Sequence, residues 1–434
     1  MKICKGAMIL GQSGGPTSVI NASAAGVFIE ALNNENITHV YAASHGIKGI
    51  LNEEIFDINQ EDIKELELLK TTPSSSIGSV RYKLKDYKED PSEYLRILEV
   101  FKKYDIRYFL YNGGNDSMDT CNKISKFFKE NSYECYCIGI PKTIDNDLAF
   151  TDHTPGFASV AKYIATTIME AKLDATVYDT PMIIIFEAMG RNAGWCAASA
   201  KLAEYKGLGA DLIYVPEITF SFDKFWQDVE KKIKENNGKV IIVASEGIKI
   251  EDGRYVSELN ESRGEKDSFG HAQMGGTASV LASFLRSKTK IKVRSLEPSL
   301  IQRSAAHLAS KVDVIEAYEA GRFAVKLALN QETDYMVGFK RKPKEIYSIE
   351  YIKIPLEDVA NAEKKLPLEW ILKEESNISD DFISYCLPLI QGDMKAPLED
   401  GLPRFAKLKK ILVNGNWRLS VFIIFFSKDI ETKG

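Results

Sequence analysis

The sequence predicts an α/β protein made of two doubly wound domains that follow one another along the chain. Short, β-rich apolar runs alternate with helical stretches, and polar motifs follow directly after several of the apolar runs. The chain has 434 residues, of which 44% are hydrophobic and 27% are charged. That length fits two domains of ordinary size, and that composition is typical of a globular protein rather than a disordered or fibrous one.

Seven apolar runs are the candidate strands, since a nearly continuous apolar character is typical of strands buried on both faces of a parallel sheet. They cover residues 7–10, 40–43, 108–111, 134–140, 182–187, 212–215 and 240–244. The clearest helical pattern lies at 224–235, where the apolar side chains fall on one face. Asn236, Asn237 and Gly238 follow it and provide a stop signal.

This alternation also suggests where the domains lie. We expect the first domain at residues 1–150 with part of about 295–335, and the second at 151–294. Residues 336–434 form a C-terminal extension that completes the domains. The tail from about 414 contains a further apolar run and is assigned to neither domain; we expect a short strand or an aggregation-prone segment there.

Charge and composition argue against several classes of function. The net charge is −5 and the pI is about 5.8, whereas binding to nucleic acid or to a membrane surface requires a basic face. The 6 cysteines are scattered and the 5 histidines form no zinc motif, so neither a disulfide framework nor a zinc site is expected. No segment is long and apolar enough to span a membrane or to serve as a signal peptide, and we expect a cytoplasmic protein.

Polar motifs follow five of the predicted strands. In chain order they are GQSGGP, NGGNDS, PKTIDND, AMGRNAGW and SEG. Ligands of open parallel sheets bind beyond the carboxyl ends of the strands. The five motifs are therefore expected to converge on one cleft.

Three of the polar segments are candidates for phosphate binding. Gly14 and Gly15 stand between a strand and a helical stretch at 18–33, where glycine lets the backbone approach an anion. A tight structural turn explains this pair equally well, and the segment matches neither GxxxxGK[ST] nor GxGxxG. The GGNDS turn at 113–117 has the same setting, with an Asp or Ser helix cap as the alternative. Arg81, in GSVR, offers a guanidinium for phosphate or is a solvated loop arginine.

The segment TIDND at 143–147 is the catalytic candidate. Of its two carboxylates, Asp145 and Asp147, one can accept a proton from a hydroxyl and the other can hold Mg²⁺. Lys142 adds the positive charge that phosphoryl transfer needs. The alternative is a polar turn.

Further charged residues could complete a second anion site. Arg191 follows a buried strand, and Arg294 and Arg303 stand close together in KVRSLEPSLIQR. Glu246, at the end of a very apolar strand, could accept hydrogen bonds from a sugar hydroxyl. Surface salt bridges are the alternative explanation for the arginines, and pairing with a lysine is the alternative for Glu246.

Taken together, these motifs resemble those of the phosphofructokinases, and more closely those of the pyrophosphate-dependent branch. The matching segments run in family order from residue 9 to about 310; they are SGGP with Asn21, GSVR, GGNDS, PKTIDND, MGRNAGW, the Glu of ASEG, and VRSLEPSLIQR. The resemblance implies two Rossmann-like domains with the active site in the cleft between them. It implies Mg²⁺-dependent, reversible phosphoryl transfer from pyrophosphate to the C1 hydroxyl of fructose 6-phosphate, a glycolytic step that yields fructose 1,6-bisphosphate and phosphate.

The resemblance also implies a role for each matching residue. The catalytic residues are Asp145 as general base, Thr143 and Arg81. The phosphoryl donor is bound by Gly15, Arg81, Gly114, Asp116, Ser117 and Lys142, in the first domain. Fructose 6-phosphate is bound by Thr143, Asp145, Met189, Gly190, Arg191, Glu246, Arg294 and Arg303, largely from the second domain. Asp147 is associated with Mg²⁺, as is Asn115, which stands where many relatives have an Asp.

The resemblance further implies that Arg294 enters the site of a neighbouring subunit, and hence a homodimer or homotetramer. Asp116 and Lys142 favour pyrophosphate, because ATP-dependent relatives typically have glycine at both positions. An ATP-dependent enzyme, a non-catalytic regulatory subunit and a NAD kinase-like enzyme are the alternatives. The intact Thr143, Asp145 and Asp147 argue against a regulatory subunit.

Overall fold

The computed structural model describes residues 4–259, 276–344, 346–360 and 362–413. The tail predicted from about 414 lies outside the described residues. Two main sheets organise the described part of the chain, one of seven strands and one of four. Among the described residues, no helix combines the length and the apolar character needed to cross a membrane.

The seven-stranded sheet contains the first five strands of the chain and two later ones. These strands are β1 (Gly6–Gln12), β2 (Ile37–Ala43), β3 (Ile55–Asp57), β4 (Ile106–Gly113), β5 (Tyr136–Pro141), β10 (Tyr335–Arg341) and β11 (Ile349–Pro355). Their order across the sheet is β11-β10-β5-β4-β1-β2-β3. The inner strands run parallel, whereas β3 and β11 at the two edges pair antiparallel.

The four-stranded sheet is entirely parallel. Its strands are β6 (Met182–Ala188), β7 (Leu212–Tyr214), β8 (Lys239–Ser245) and β9 (Lys292–Leu296), in the order β7-β8-β6-β9. Two short hairpins, β12 (Ile371–Leu372) with β13 (Asn377–Ile378) and β14 (Leu398–Glu399) with β15 (Leu402–Pro403), lie in the C-terminal extension.

Helices cover both faces of these sheets. They are α1 (Ile20–Leu32), α2 (Ile47–Leu51), α3 (Ile63–Leu68), α4 (Ser92–Lys103), α5 (Asn115–Glu130), α6 (Phe157–Thr176), α7 (Trp195–Ala198), α8 (Phe222–Glu235), α9 (Thr277–Lys288), α10 (Leu300–Ser304), α11 (Lys311–Leu329), α12 (Leu356–Val359) and α13 (Asp380–Cys386). Short 3-10 turns lie at Ile58–Gln60, Leu69–Thr71, Ser199–Lys206, Val256–Leu259, Ala306–Leu308 and Leu368–Trp370.

All seven predicted strands are present, and the doubly wound α/β class is confirmed. Four further strands of the main sheets, β3, β9, β10 and β11, were not predicted. In β11 the residues are mostly half-buried or exposed, because this strand lies at a sheet edge. A search for continuous apolar runs misses the edge strands β3, β9 and β11, whose outer positions stay polar, whereas β10 lies inside the sheet and its apolar run is interrupted by Gly338.

The predicted helix at 224–235 is also confirmed, as α8. Its N-cap Ser221 accepts a hydrogen bond from the backbone N–H of Lys224 at 3.4 Å, and Phe225 and Val229 are buried. Gly238 ends the segment in the left-handed conformation, with a φ of 80°.

The helix predicted at 18–33 begins later than expected, at Ile20. It packs closely on α11: a Cβ atom at Gly26 would lie 2.0 Å from the carbonyl oxygen of Tyr318, so no larger residue fits there. This contact joins residues 311–329 to the seven-stranded sheet, whereas the preceding strand β9 belongs to the other sheet. The domain boundaries themselves stay a prediction.

Each sheet has a point at which the strand order reverses. In the larger sheet, β1 lies between β4 and β2, so the connections leave in opposite directions on either side of it. In the smaller sheet, β6 lies between β8 and β9. A crevice opens at the carboxyl ends of the strands at such a point, and ligands of doubly wound proteins bind there.

Candidate active site

The turn after β1 is hydrogen-bonded to a neighbouring loop. Gly14 has a φ of 79°, which favours glycine. Its N–H donates to the carbonyl of Val80 at 3.0 Å, and its own carbonyl accepts from the Ser79 hydroxyl at 2.6 Å. These bonds hold the GSVR segment, and with it Arg81, against the glycine turn.

Three cationic side chains meet at this turn. Lys142, directly after β5, is 4% exposed, and its ammonium group donates to the carbonyl of Gly15 at 2.7 Å. A Cβ atom at Gly15 would lie 2.8 Å from a guanidinium nitrogen of Arg303 and 4.0 Å from one of Arg81. Burial lowers the pKa of Lys142 to about 8, against the opposing charge of Asp145. The turn is therefore a cationic pocket with half-buried glycine backbone at its centre.

Helix α5 begins beside this pocket, after β4. Gly114 is its N-cap, without a side-chain capping bond, and Asp116 is exposed in the first turn. Ser117 is buried, and its hydroxyl lies where a Cβ atom of Gly113 would stand, at 2.0 Å. The close approach explains the glycine at 113. Asp116 is not the N-cap, so the predicted alternative of an Asp cap does not account for it.

The loop after β5 carries the two carboxylates. Asp145 and Asp147 flank Asn146, which has a φ of 53°. The N–H of Asp145 donates to the Thr143 hydroxyl at 3.1 Å. Burial, and then the charge of Glu246, raise the pKa of Asp145 to about 6, partly offset by Lys142 and Arg191. A carboxyl group with such a pKa is ionised at neutral pH and is still basic enough to accept a proton.

Asp147 and Asn115 form a pair that fits a hard divalent cation. The amide of Asn115 donates to one carboxylate oxygen of Asp147 at 3.3 Å. The other oxygen of Asp147 and the amide oxygen of Asn115 are buried and have no hydrogen-bond partner among the described residues. Burial, followed by the charge of Asp145, raises the pKa of Asp147 to about 7. Two unpartnered oxygens of this kind are the ligands that Mg²⁺ prefers.

A second crevice lies beyond β6 and β8. The N–H of Gly190 donates to the Glu246 carboxylate at 3.3 Å, and the N–H of Met189 donates to the side-chain oxygen of Gln302 at 3.0 Å. The Nε of Arg191 is buried and has no partner among the described residues. Burial, and then the charge of Glu187, raise the pKa of Glu246 to about 7. This crevice therefore combines the guanidinium group of Arg191 with the carboxylate of Glu246, on which its charge acts.

The structure brings most of the predicted site residues together. Arg303 lies against Gly15 in the first crevice, and the charges of Glu246 and Asp145 also act on it. The charges of Lys142, Arg191 and Glu246 in turn act on the Asp145 carboxylate. Arg294 is different, because it lies within β9 rather than beyond a strand end, and it is exposed.

Two residues of the second crevice were not predicted. Gln302 is buried beside Arg303 and orients the backbone of Met189. Glu187, the last but one residue of β6, accepts hydrogen bonds from the N–H groups of Gly276 and Ala278 at the start of α9, at 3.3 and 3.0 Å. A Gln in a helical turn carries no signal of its own, whereas a Glu inside an apolar strand does and could have been noticed.

Anionic and cationic groups gathered at two strand-order reversals define a phosphate-binding α/β protein of the phosphotransferase type. The phosphofructokinase family model matches residues 7–327. The chain belongs to the phosphofructokinase family, and the resemblance deduced from the sequence is confirmed.

Individual relatives match over nearly their whole length. The pyrophosphate–fructose 6-phosphate 1-phosphotransferase of Halomonas elongata is 44% identical over 404 residues, 92% of this chain and 95% of the relative. The protein of the same name from Xanthomonas campestris is 44% identical over 417 residues, 94% of this chain and 97% of the relative. The solved structure of a pyrophosphate-dependent phosphofructokinase from Marinobacter aquaeolei matches with a TM-score of 0.84 and 39% identity, covering 94% of this chain and 97% of that one.

Proposed function

We propose that this protein transfers a phosphoryl group from pyrophosphate to the C1 hydroxyl of fructose 6-phosphate, as the names of its relatives state for them. The observation that carries the proposal is the meeting of Lys142, Arg81 and Arg303 at Gly15, with the Asp145 carboxylate close enough to act on two of these cations. A small, highly charged anion fits such a pocket, and a base stands beside it.

The reaction uses Asp145 as the general base. Its carboxylate accepts the proton of the C1 hydroxyl while the sugar oxygen attacks the nearer phosphorus atom of pyrophosphate, and phosphate leaves. Burial and Glu246 raise the pKa of Asp145, which makes the carboxylate a better proton acceptor than an exposed Asp. Thr143, whose hydroxyl accepts from the N–H of Asp145, holds the backbone of the loop at the residue that carries the carboxylate.

Pyrophosphate occupies the cationic pocket of the first crevice. Gly15 and Gly114 let the backbone approach the phosphate oxygens, Ser117 offers its hydroxyl to them, and Lys142 and Arg81 neutralise their charge. Positioning and charge stabilisation account for most of the catalysis of phosphoryl transfer, because the protein takes little covalent part in it.

Asn115 and Asp147 would hold Mg²⁺. The described residues contain no group of three or more His, Cys, Asp or Glu side chains placed to hold a metal. Phosphate oxygens and water would complete the coordination of the ion, as is usual for Mg²⁺. When bound, Mg²⁺ supplies positive charge that offsets the charge of the phosphates.

Fructose 6-phosphate occupies the second crevice. Arg191, whose Nε has no partner within the described part of the chain, binds the 6-phosphate together with Arg303, and Glu246 accepts hydrogen bonds from sugar hydroxyls. Met189 and Gly190 provide the wall of the pocket, held by Gln302 and Glu246.

Arg294 completes this crevice in a neighbouring subunit of a homodimer or homotetramer. Its exposed position on β9 supports a role outside its own chain. Mixed oligomers test this: subunits with Arg294→Ala combined with subunits with Asp145→Ala should recover part of the lost activity, because some sites then contain both wild-type groups. Proven hybrids without any recovery contradict a shared site. The 6 scattered cysteines, typical of reduced thiols, support a cytoplasmic location.

One assay tests the proposed function directly. Purified protein with fructose 6-phosphate and Mg²⁺ receives either pyrophosphate or ATP as the sole phosphoryl donor, and fructose 1,6-bisphosphate is measured. We expect rapid turnover with pyrophosphate, and the reverse reaction from fructose 1,6-bisphosphate and phosphate. Turnover with ATP and not with pyrophosphate would contradict the assigned donor, while the assignment of fructose 6-phosphate as the acceptor would stand. If no product forms with either donor, the proposal is contradicted.

A further inference from the structure

The residue between the two catalytic-loop carboxylates has an unusual backbone. Asn146 is fully buried and has a φ of 53°, in the left-handed region that non-glycine residues rarely adopt. The conformation at this point sets the directions in which Asp145 and Asp147 leave the loop. Such a conformation persists only where the surroundings hold it.

One group that holds Asn146 comes from the C-terminal extension. The ammonium group of Lys364 donates to the side-chain oxygen of Asn146 at 3.2 Å. It also donates to the carbonyls of Thr151 at 3.1 Å and Asp152 at 2.9 Å, so its three N–H bonds are used. The backbone N–H of Lys364 donates to the carbonyl of Asp147 at 2.7 Å. Lys364 therefore binds the catalytic loop through both its side chain and its backbone.

The second group is Tyr385, on α13. Its hydroxyl accepts a hydrogen bond from the side-chain amide of Asn146 at 2.9 Å and donates to the carbonyl of Asp152 at 2.7 Å. The backbone carbonyl of Tyr385 accepts from Arg341 of β10 at 2.9 Å, which ties α13 to the seven-stranded sheet. Asn146 is thus held from both ends of its amide.

We propose that Lys364 and Tyr385 are positioning residues for phosphoryl transfer, acting through Asn146 to keep Asp145 and Asp147 in their reactive directions. The C-terminal extension is then part of the catalytic apparatus, although neither residue touches the reacting groups. This inference rests on the proposed roles of the two carboxylates. A misplacement of about 1 Å can cost roughly 10²-fold in rate, which sets the scale of the effect.

The test compares two variants with two matched controls. Lys364→Met removes the ammonium group and keeps the length of the side chain, and Tyr385→Phe removes only the hydroxyl. Lys365→Met changes the exposed neighbouring lysine, and Tyr133→Phe removes another buried hydroxyl, which donates to the carbonyl of Ile106 at 2.7 Å. All four proteins are compared with the wild type in kcat, in both KM values and in thermal unfolding.

We expect kcat to fall by roughly 10- to 100-fold in Lys364→Met and by about 10-fold in Tyr385→Phe. The KM values and the calorimetric affinity for fructose 6-phosphate should stay within about twofold, because the binding groups are untouched. Tyr133→Phe should lose a similar amount of stability to Tyr385→Phe and keep its kcat. Folded Lys364→Met and Tyr385→Phe proteins with wild-type kcat would overturn the inference, and Tyr385→Phe alone decides it if Lys364→Met does not fold.

A double-mutant cycle shows whether Lys364 acts through Asn146. Asn146→Gly still permits the left-handed backbone but loses the side-chain bonds to Lys364 and Tyr385, together with those from Thr154. Adding Lys364→Met to this variant should reduce kcat much less than it does in the wild type. If the two losses in kcat multiply in full in the double variant, Lys364 acts independently of Asn146. Wild-type protein without pyrophosphate-dependent transfer contradicts the proposed function, whereas an active wild type with unaffected variants contradicts only this inference.

Discussion

The two crevices have the same topology and different electrostatics. The crevice beyond β1 and β4 is cationic, with Lys142 and Arg303 gathered at Gly15. The crevice beyond β6 and β8 contains two carboxylates that accept backbone N–H bonds, those of the buried Glu187 and the half-buried Glu246. The parallel sheet decides where polar groups gather, and the first residues after each strand decide what binds there. A cationic turn suits a small polyanion, whereas carboxylate acceptors suit the hydroxyl groups of a sugar.

Two residues connect the crevices. The pKa of Asp145 is lowered by the charge of Lys142, from the first crevice, and raised by that of Glu246, from the second. Arg303 lies against Gly15 and is also influenced by Glu246. The contrast between the crevices therefore predicts that changes at these two residues affect both substrates or the chemistry itself, whereas changes within one crevice affect one substrate.

The largest effect is expected at Asp145, which connects the two crevices. Asp145→Ala should reduce kcat by about 10²–10⁴-fold, the usual contribution of a general base. The affinity for fructose 6-phosphate should change little, because the carboxylate acts mainly in the transition state. Steady-state kinetics with pyrophosphate measures both. Asp119→Ala on α5 is the control, since it removes a half-buried carboxylate that pairs with Lys123 and has no proposed part in either crevice. An Asp145→Ala protein with half the wild-type rate would contradict the assignment.

The next effect concerns the cationic crevice and its choice of phosphoryl donor. Two like charges about 4 Å apart at an effective dielectric near 20 repel by roughly 4 kcal/mol, so Asp116 disfavours the α-phosphate of ATP. Asp116→Gly, alone or with Lys142→Gly, should improve the use of ATP by up to roughly 10³-fold and weaken the use of pyrophosphate. The ratio of kcat/KM for the two donors is the measurement.

Asp223→Gly provides the matched control for this change. Asp223 is exposed in the first turn of α8, at the same helix position that Asp116 occupies in α5. Both changes remove an acid from a helix N-terminus, which costs about 0.3–1 kcal/mol, and both introduce a helical glycine. If Asp116 acts only on helix stability, the two variants lose similar stability and neither changes the donor preference.

The smallest effect distinguishes the roles of Arg191 and Arg303 in substrate binding. Arg191→Ala should raise the KM for fructose 6-phosphate by roughly 10- to 100-fold, the equivalent of one lost charge-assisted hydrogen bond, and leave the KM for pyrophosphate unchanged. Arg303→Ala should raise both KM values, because this guanidinium also lies at Gly15. If Arg303→Ala changes only the KM for pyrophosphate, Arg303 belongs to the cationic crevice alone.

The sequence predicted the local parts of this molecule well. The seven strands, the helix α8 and the family follow from apolar runs, a helical stop signal and contiguous motifs, and all were confirmed. The roles of the site residues stay predictions, although the motifs were expected in one cleft and the structure brings most of them together. The positions after strands could be predicted because a parallel sheet brings all its carboxyl ends to one edge.

Sequence alone determined which chemical groups are available and which strand each of them follows, because burial patterns and motifs are properties of neighbouring residues. Only the tertiary structure decided that Arg303 lies at Gly15, that Gln302 orients Met189 and that Lys364 and Tyr385 hold Asn146. Lys364 and Tyr385 are 218 and 239 residues from Asn146 along the chain, and no local period relates them. Contacts at such separations depend on how the C-terminal extension packs back across both sheets, which is a property of the whole fold.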